Sequence, residues 1–473
     1  MPESLLSRLN KTSNPRHTTE VLQKAIDAAA ECGGVVTVPP GEWTVATVFV
    51  RSGTTLRLER NAVLRAHTDL KDYPVMPRGH NKDRQPYHLI AAEDCRDITI
   101  EGDGTIDGCG EDFWEPPLRD LKAQGKDISD DIARAPKCWP LDGPFWRGWK
   151  PRISPLVELR RCRNVVLRDI TIRRSPGWTV HPYCCDQVRI EGVTIDNHIY
   201  GPNTDGIDVN GCRDVFISNC RISGCDDNII LKATADARST ERVVVTNCIL
   251  NTVCAALGIG AETTCGVRDV AFSNCAVEMA LRMVHINMWE PGTVENVVVT
   301  NITGRTLMPP DIKMEKVVYI DVQSHGRGEG CELGRVRGVV VQGISAETRG
   351  RCIMTSHPRG PALEDIVLRD IVLRYPEVED SAALAPLQKS NQNNNDNPEA
   401  QRANAVLVAE NVQGMRVSNL SARMPKAGGG VPAMHGAWMR NVRDCGMECP
   451  RLAANDRKVE NYHLEQCENV LIA

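Results

Sequence analysis

Four asparagines, Asn219, Asn247, Asn274 and Asn301, recur at spacings of 28, 27 and 27 residues, each at the same place in one repeated segment. The segment reads "CRNVVLRDITI" from 162, "CDQVRIEGVTI" from 185, "CRDVFISNCRI" from 212 and "TERVVVTNCIL" from 240. It continues as "GVRDVAFSNCAV" from 266, "TVENVVVTNITG" from 293, "RVRGVVVQGIS" from 335 and "ALEDIVLRDIVL" from 362. "CRDITIEGDGTI" at 95 and "NVQGMRVSNLSA" at 411 extend the series both ways. Each copy alternates apolar and polar residues and is rich in Val and Ile, the pattern of a half-buried strand. No helical period separates the copies, so this is an array of strands stacked on one another. Propeller blades are longer and need a Trp-Asp signature, and leucine-rich repeats need a Leu framework; neither is here. The expected fold is all-β, a right-handed single-stranded parallel β-helix. An Asn at the same turn of every coil can hydrogen-bond its neighbour in a ladder, with Cys220, Cys248 and Cys275 filling the interior beside it.

A solenoid needs capped ends. "TTEVLQKAIDAAAECGG", residues 18–34, reads as an N-terminal capping helix with a Thr N-cap and a Gly stop. The expectation is a single domain over 1–473, with inserted loops at 108–150 and 303–334 on the binding face and a polar, flexible loop at 388–404. The first insertion holds Trp114, Trp139, Trp146 and Trp149. Aromatic residues are only 4% of the chain, so the core must be aliphatic. The 19 cysteines include no metal-type pairs, and many fall at repeat positions as small apolar fillers, which favours a reducing compartment. No apolar run reads as a secretion signal or a bilayer span, so the expected location is the cytoplasm, or the periplasm or exterior if a signal was trimmed. A net charge of −5 argues against nucleic-acid or anionic-membrane partners. The oligomeric state is not legible.

The chemistry sits in "NTD" (Asp205) and "CDD" (Asp226, Asp227). His181, Asp205, Asp227, Ala255 and Arg282 are separated by 24, 22, 28 and 27 residues, each about one coil. Side chains one coil apart lie roughly 5 Å apart, so the acids are expected to converge, with His181 before them and Arg282 beyond. Crowded carboxylates raise at least one pKa, leaving a protonated acid beside an ionised base. Hydrolysis of a glycosidic bond needs that division of labour. No cofactor or metal is implied.

From about residue 17 to 350 the chain resembles the polygalacturonase-type enzymes of glycoside hydrolase family 28, whose fold is the pectin-lyase-like β-helix. "NTDGID" and "CDDNIILK" are similar to the two family signatures that hold the acids, and "SPGWTVHPYCCDQVRIEGVTI" resembles the coil before them. "EGDGTIDGCGEDFW", "IGAE" and "LRMVHI" extend the match. The resemblance implies an inverting hydrolase with Asp226 as general acid, Asp205 and Asp227 positioning the water, and Arg282 contacting the sugar. The long loops suggest exo action. His181, Lys232, Glu262, His285 and Trp289 are further candidates for substrate contact, each with a structural alternative. Lys232 can be an ion-pair partner and His181 a core histidine, while strand alternation points His285 away from Arg282 unless the strand bends. The chain departs from the family at Ala255, where a His is expected, and at Val284, where a uronate-gripping Lys is expected. These changes point to an altered sugar in a uronate- or rhamnose-containing oligo- or polysaccharide. Two other functions fit the fold: a polysaccharide lyase or epimerase, and a non-catalytic carbohydrate-binding relative.

Overall fold

The computed structural model describes residues 14–77, 84–134, 143–308, 315–325, 327, 330–359, 363–376, 396–428, 431–449 and 451–473. They fall into two compact units, Met1–Ile132 with Pro144–Thr252, and Ala133–Gly143 with Val253–Ala473.

In the first unit each full coil carries three short strands. Ile207–Asn210, Arg213–Ser218 and Arg221–Gly224 stack in parallel on Val180–Tyr183, Asp186–Glu191 and Thr194–Asp196 of the preceding coil. The period-2 pattern then sorts the side chains. Val165, Val188, Val215 and Val243 form one column, and Ile172, Ile195, Ile222 and Leu250 another; each is about 1% exposed or less. Burying each such side chain contributes about 1.5–3 kcal/mol, so the aliphatic columns are what hold successive coils together.

The second unit uses longer strands. Val267–Met279, Thr293–Thr306, Arg335–Thr348 and Leu363–Arg374 pair in parallel and stack Phe272, Val299, Val341 and Leu368 in register. A second set, Ala255–Ala261, Arg282–Met288, Lys316–Val322, Arg351–Ser356, Ala405–Glu410 and His435–Arg440, pairs likewise.

The asparagine turns behave as their spacing predicts. All four residues are left-handed, with φ between 54° and 58°, a conformation Asn tolerates better than most residues. The Asn247 amide donates to Asn219 Oδ1 at 3.4 Å in the first unit, and Asn301 donates to Asn274 Oδ1 at 3.1 Å in the second. A further ladder lies one turn away and is not evident from the spacing of the asparagines alone. There Asn164 donates to Asp97 at 2.8 Å, and Asn296 to Asp269 at 3.2 Å. Cys220, Cys248 and Cys275 are buried, their thiols donating to the carbonyls of Ser218, Thr246 and Ser273. Every described cysteine is a free thiol.

The capping helix runs over Pro15–Ala30, three residues earlier than expected at its start. Asn14, not a threonine, is the N-cap, accepting from the Arg16 amide at 3.0 Å. Pro15 at the first position presets the helical φ, which is why the helix begins there. Leu22 and Ile26 are buried, and Gln23 both donates to Phe49 O and accepts from Phe49 N. The helix thereby satisfies backbone groups that an uncovered edge strand would leave open.

The tail of the segment expected to be flexible includes a short helix, Pro398–Arg402; residues 388–395 lie outside the described residues. Ala400 and Ala403 pack with Tyr319, Ile353, Val408 and Trp438. In the second unit this segment covers the face of four successive strands.

The columns make a contrast testable. Ile222→Ala, at 1% exposure, is expected to cost about 2–5 kcal/mol, read as a lowered unfolding midpoint. Phe216→Ala on the same coil, 52% exposed, should leave the midpoint nearly unchanged.

Candidate active site

Strand pairing of Ile207 with Ile229 fixes the offset between the two acid-bearing turns of the first unit. The Gly206 amide donates to Asp227 O at 2.9 Å, so Asp205 and Asp227 stand level at the entry to adjacent strands. Gly206 is required by this approach: a Cβ there would lie 2.3 Å from Asn228 O. Asp226 precedes Asp227, whose amide donates to Asp226 Oδ1 at 3.0 Å. Asn203 Nδ2 donates to the other oxygen, Oδ2, at 3.4 Å, and Arg152 Nη2 donates to Asn203 Oδ1 at 3.0 Å. The buried Arg152 therefore sets which end of the Asn203 amide meets Asp226.

Exposure divides the three acids. Asp226 and Asp227 are part-exposed, whereas Asp205 is 3% exposed. Burial first, then the charges of Asp226 and Asp208, push the Asp205 carboxyl well above the usual carboxylate range. Lys232 opposes this rise, and it is itself held by Asp208 at 3.1 Å and sits 3.9 Å from the centre of the Trp178 ring. The cluster thus retains a proton at a pH where an isolated aspartate has lost it. Asp208, Asn203, Arg152 and Trp178 are not singled out by the sequence. Asn203 and Asp208 are the first and last residues of "NTDGID" and are the two most readily found there.

His181 is one coil before Asp205 but not in line with it. Val180 pairs with Ile207 and Tyr183 with Asn210, which places His181 beside Asp208, three positions along. The coil here is 27 residues long, so a count of 24 falls three short. His181 is fully buried, its Nδ1 2.7 Å from Glu158 Oε2, and Glu158 also accepts from Arg84 Nε at 2.9 Å. Burial would raise Glu158, but His181, His88 and Arg84 hold it well below the carboxylate range. Burial likewise outweighs Glu158 at His181 and lowers its pKa. This is a structural network behind the acids.

The aromatic insertion packs near the first acid-bearing turn. Trp114 is buried and donates to Pro176 O at 2.8 Å; its ring lies 6.0 Å from both Trp146 and His198. The Trp146 amide donates to Tyr200 O at 2.9 Å. Arg147 covers the Trp149 ring at 4.7 Å, and Trp139 lies outside the described residues.

Arg282, Glu262, His285 and Trp289 belong to the second unit. Ala255 pairs with Arg282, as the 27-residue spacing predicts. Cys254, which no sequence motif marks, is part-exposed and accepts from Arg282 Nη1 at 3.2 Å. Val284 is fully buried in register with Leu257 and Val318, so this position fills the core. His285 stacks on Tyr319 with ring centres 5.5 Å apart, and Lys316 Nζ sits 4.0 Å from the same ring centre. In a regular strand residues three apart point opposite ways. In the pairing of Lys316–Val322 with Arg351–Ser356 the register shifts between Lys316 and Val318, next to the ring that both His285 and Lys316 meet. Burial first, then Arg282 and Lys316, push the His285 imidazole well below its usual pKa. Glu262 is part-exposed just beyond its strand, and Trp289 stacks on His325 at 3.6 Å, so one ring face is already covered.

The model of glycosyl hydrolases family 28 matches residues 147–377. A probable polygalacturonase of Vitis vinifera is 26% identical over 317 residues, 63% of this chain and 58% of its own length. An endo-polygalacturonase of Pectobacterium carotovorum subsp. carotovorum is 22% identical over 364 residues, covering 75% of this chain and 84% of its own. The chain spans 42% of the length of a third relative, a polygalacturonase of Persea americana. Among solved structures, a Thermotoga maritima exopolygalacturonase superposes with a TM-score of 0.62 at 24% identity, over 76% of this chain and 84% of that one. A Yersinia enterocolitica family 28 exopolygalacturonase gives 0.60 at 16% identity, over 96% and 75%. These likenesses show the fold, a right-handed parallel β-helix.

The Asp205 environment predicts a stability change with a definite sign. A carboxyl whose folded pKa is raised binds its proton more tightly when folded, so its charge weakens the fold as pH rises above about 4. Asp205→Asn is therefore expected to raise the thermal midpoint at neutral pH, with the gain shrinking toward pH 4. A midpoint difference independent of pH would contradict the assignment.

Proposed function

We propose that this chain, a member of glycosyl hydrolases family 28, hydrolyses glycosidic bonds in a pectin-like or other uronate-containing polysaccharide, or in its fragments. The observation that carries this reading is the pairing of a buried carboxyl, Asp205, with two accessible ones, Asp226 and Asp227, on adjacent coils.

The chemistry follows from where the proton rests. Burial first and then the charge of Asp226 raise Asp205, so a proton on Asp226 removes the second of these causes and eases the ionisation of Asp205. Asp226, part-exposed and oriented by Asn203, then gives its proton to the leaving oxygen. Asp205 and Asp227, level with each other, position the attacking water, and one of the two takes its proton. Attack from the face opposite the leaving group inverts the anomeric carbon. Lys232 keeps the cluster from gathering too many protons.

Exo action is the finer proposal. The feature that speaks for access from a chain end is the pair of long inserted segments, 108–150 and 303–334. The named relatives include both exo- and endo-acting polygalacturonases.

Asp226→Asn is expected to lower kcat about 100- to 10,000-fold on a responsive pectic oligosaccharide, with KM much less affected. Proton NMR of the first product formed should show the inverted anomer. Retention, or an unsaturated uronate absorbing in the ultraviolet, would replace the inverting hydrolase with another mechanism. Turnover unchanged in Asp226→Asn would remove the acid from its role.

A further inference from the structure

The strand face that continues from the strand of Arg282 is closed in the second unit. His285, Tyr319, Ile353, Val408 and Trp438 stand in register along it, one per strand. The alternate positions Val318, Cys352, Leu407 and Ala437 fill the interior, so the first set points outward. Yet Tyr319, Ile353 and Val408 are buried. Segment 396–403, with its short helix Pro398–Arg402, lays Ala400 and Ala403 on Tyr319, Ile353, Val408 and Trp438. Polar ties fasten it along its length. Ser324 donates to Asp396 from its amide at 2.6 Å and from its hydroxyl at 2.9 Å. Asn397 Nδ2 donates to Ser356 O at 2.8 Å and to Glu410 Oε2 at 3.1 Å, and Arg351 donates to Ala403 O. Arg440 pairs with both Glu399 and Glu410. Lifting the segment would put Ile353 and Val408 in water, so this cover is part of the fold.

We infer that segment 396–403 is an end wall of the saccharide cleft, and that the substrate is a short oligosaccharide of about two to four sugars instead of the interior of a long polymer. The assignment rests on the hydrolase reading above and names the size class of its substrate. Arg282 is the expected sugar contact, and the next strand already carries Tyr319 beneath the wall. Each coil advances by about 4.8 Å, roughly one sugar, so a chain lying along this face meets the wall within about one or two sugars of Arg282. The covered face also lacks what a longer chain would need. Ile353 and Val408 offer a hydroxyl no hydrogen bond, and Glu410 and Arg440 are engaged by Asn397 and Glu399 of the segment. Ser324 belongs to the inserted segment 303–334, so insertion and wall meet through Asp396.

The test is a length series. Oligogalacturonates from the dimer to the octamer are titrated calorimetrically into the full chain carrying Asp226→Asn, so that nothing turns over. Affinity is expected to rise to about the tetramer and then level, with less than about a twofold gain up to the octamer. The unsubstituted protein should hydrolyse the trimer with a kcat/KM about tenfold or more above that on long polygalacturonate, compared per chain end. Replacing residues 397–403 with a glycine-serine linker of equal length should move the plateau to longer members and leave dimer affinity unchanged. Should that variant fail to fold, which its circular dichroism would show, the series on the Asp226→Asn chain decides alone. Affinity that climbs steadily to the octamer, a plateau unmoved in a folded linker variant, or polymer cut internally as fast as trimer overturns the inference while the hydrolase reading stands. Failure of every member to bind also overturns it. A plateau near the tetramer in a protein that turns over no glycan removes the hydrolase reading and leaves the wall in place.

Discussion

Parallel hydrogen-bond ladders tie each strand to the one a coil away, at about 4.8 Å, and every functional group described above is placed by that tie. A carboxylate cannot leave its neighbour when both are fixed by the same run of backbone bonds. Asp205 and Asp227 are held level by the pairing of Ile207 with Ile229, and the aliphatic columns beneath make that pairing rigid. The electrostatic cost of crowding these acids is borne by the core, in the columns from Val165 to Val243 and from Ile172 to Leu250.

The same tie explains the supporting shell. Arg152 and Asn203 orient Asp226, while Lys232 answers the charge of Asp208 and moderates Asp205. His181, Glu158 and Arg84 form a buried network on the preceding coils. Each of these groups has at least one polar partner in the stacked coils, which lets a solenoid hold polar groups away from water. In the second unit His285 and Lys316 both meet the Tyr319 ring, and Arg282 pairs with Lys316 on the adjacent strand.

The fold is legible in the sequence because its signal is repeated. Alternation of Val and Ile, asparagines at left-handed turns and a column of small cysteines each recur once per coil, so an error in one copy is corrected by the next. The acids are legible for a different reason: they sit in short motifs at strand entries, where one coil separates them. Counting fails across coils of unequal length. A spacing of 24 puts His181 in line with Asp205, whereas that coil holds 27 residues. Alternation along one strand does not reveal that His285 stacks on Tyr319 of the next. Lys316 itself belongs to no motif and gains its place only by pairing with Arg282.

The sequence by itself determined the repeating coil, its aliphatic filling and the grouping of Asp205, Asp226 and Asp227, because each follows from residues within one or two repeats. The tertiary structure alone decided which carboxyl is buried, which way His285 turns and which cation stands beside Arg282. Those depend on coil length, strand irregularity and desolvation, which are properties of the packed array and leave no mark on any single stretch of chain.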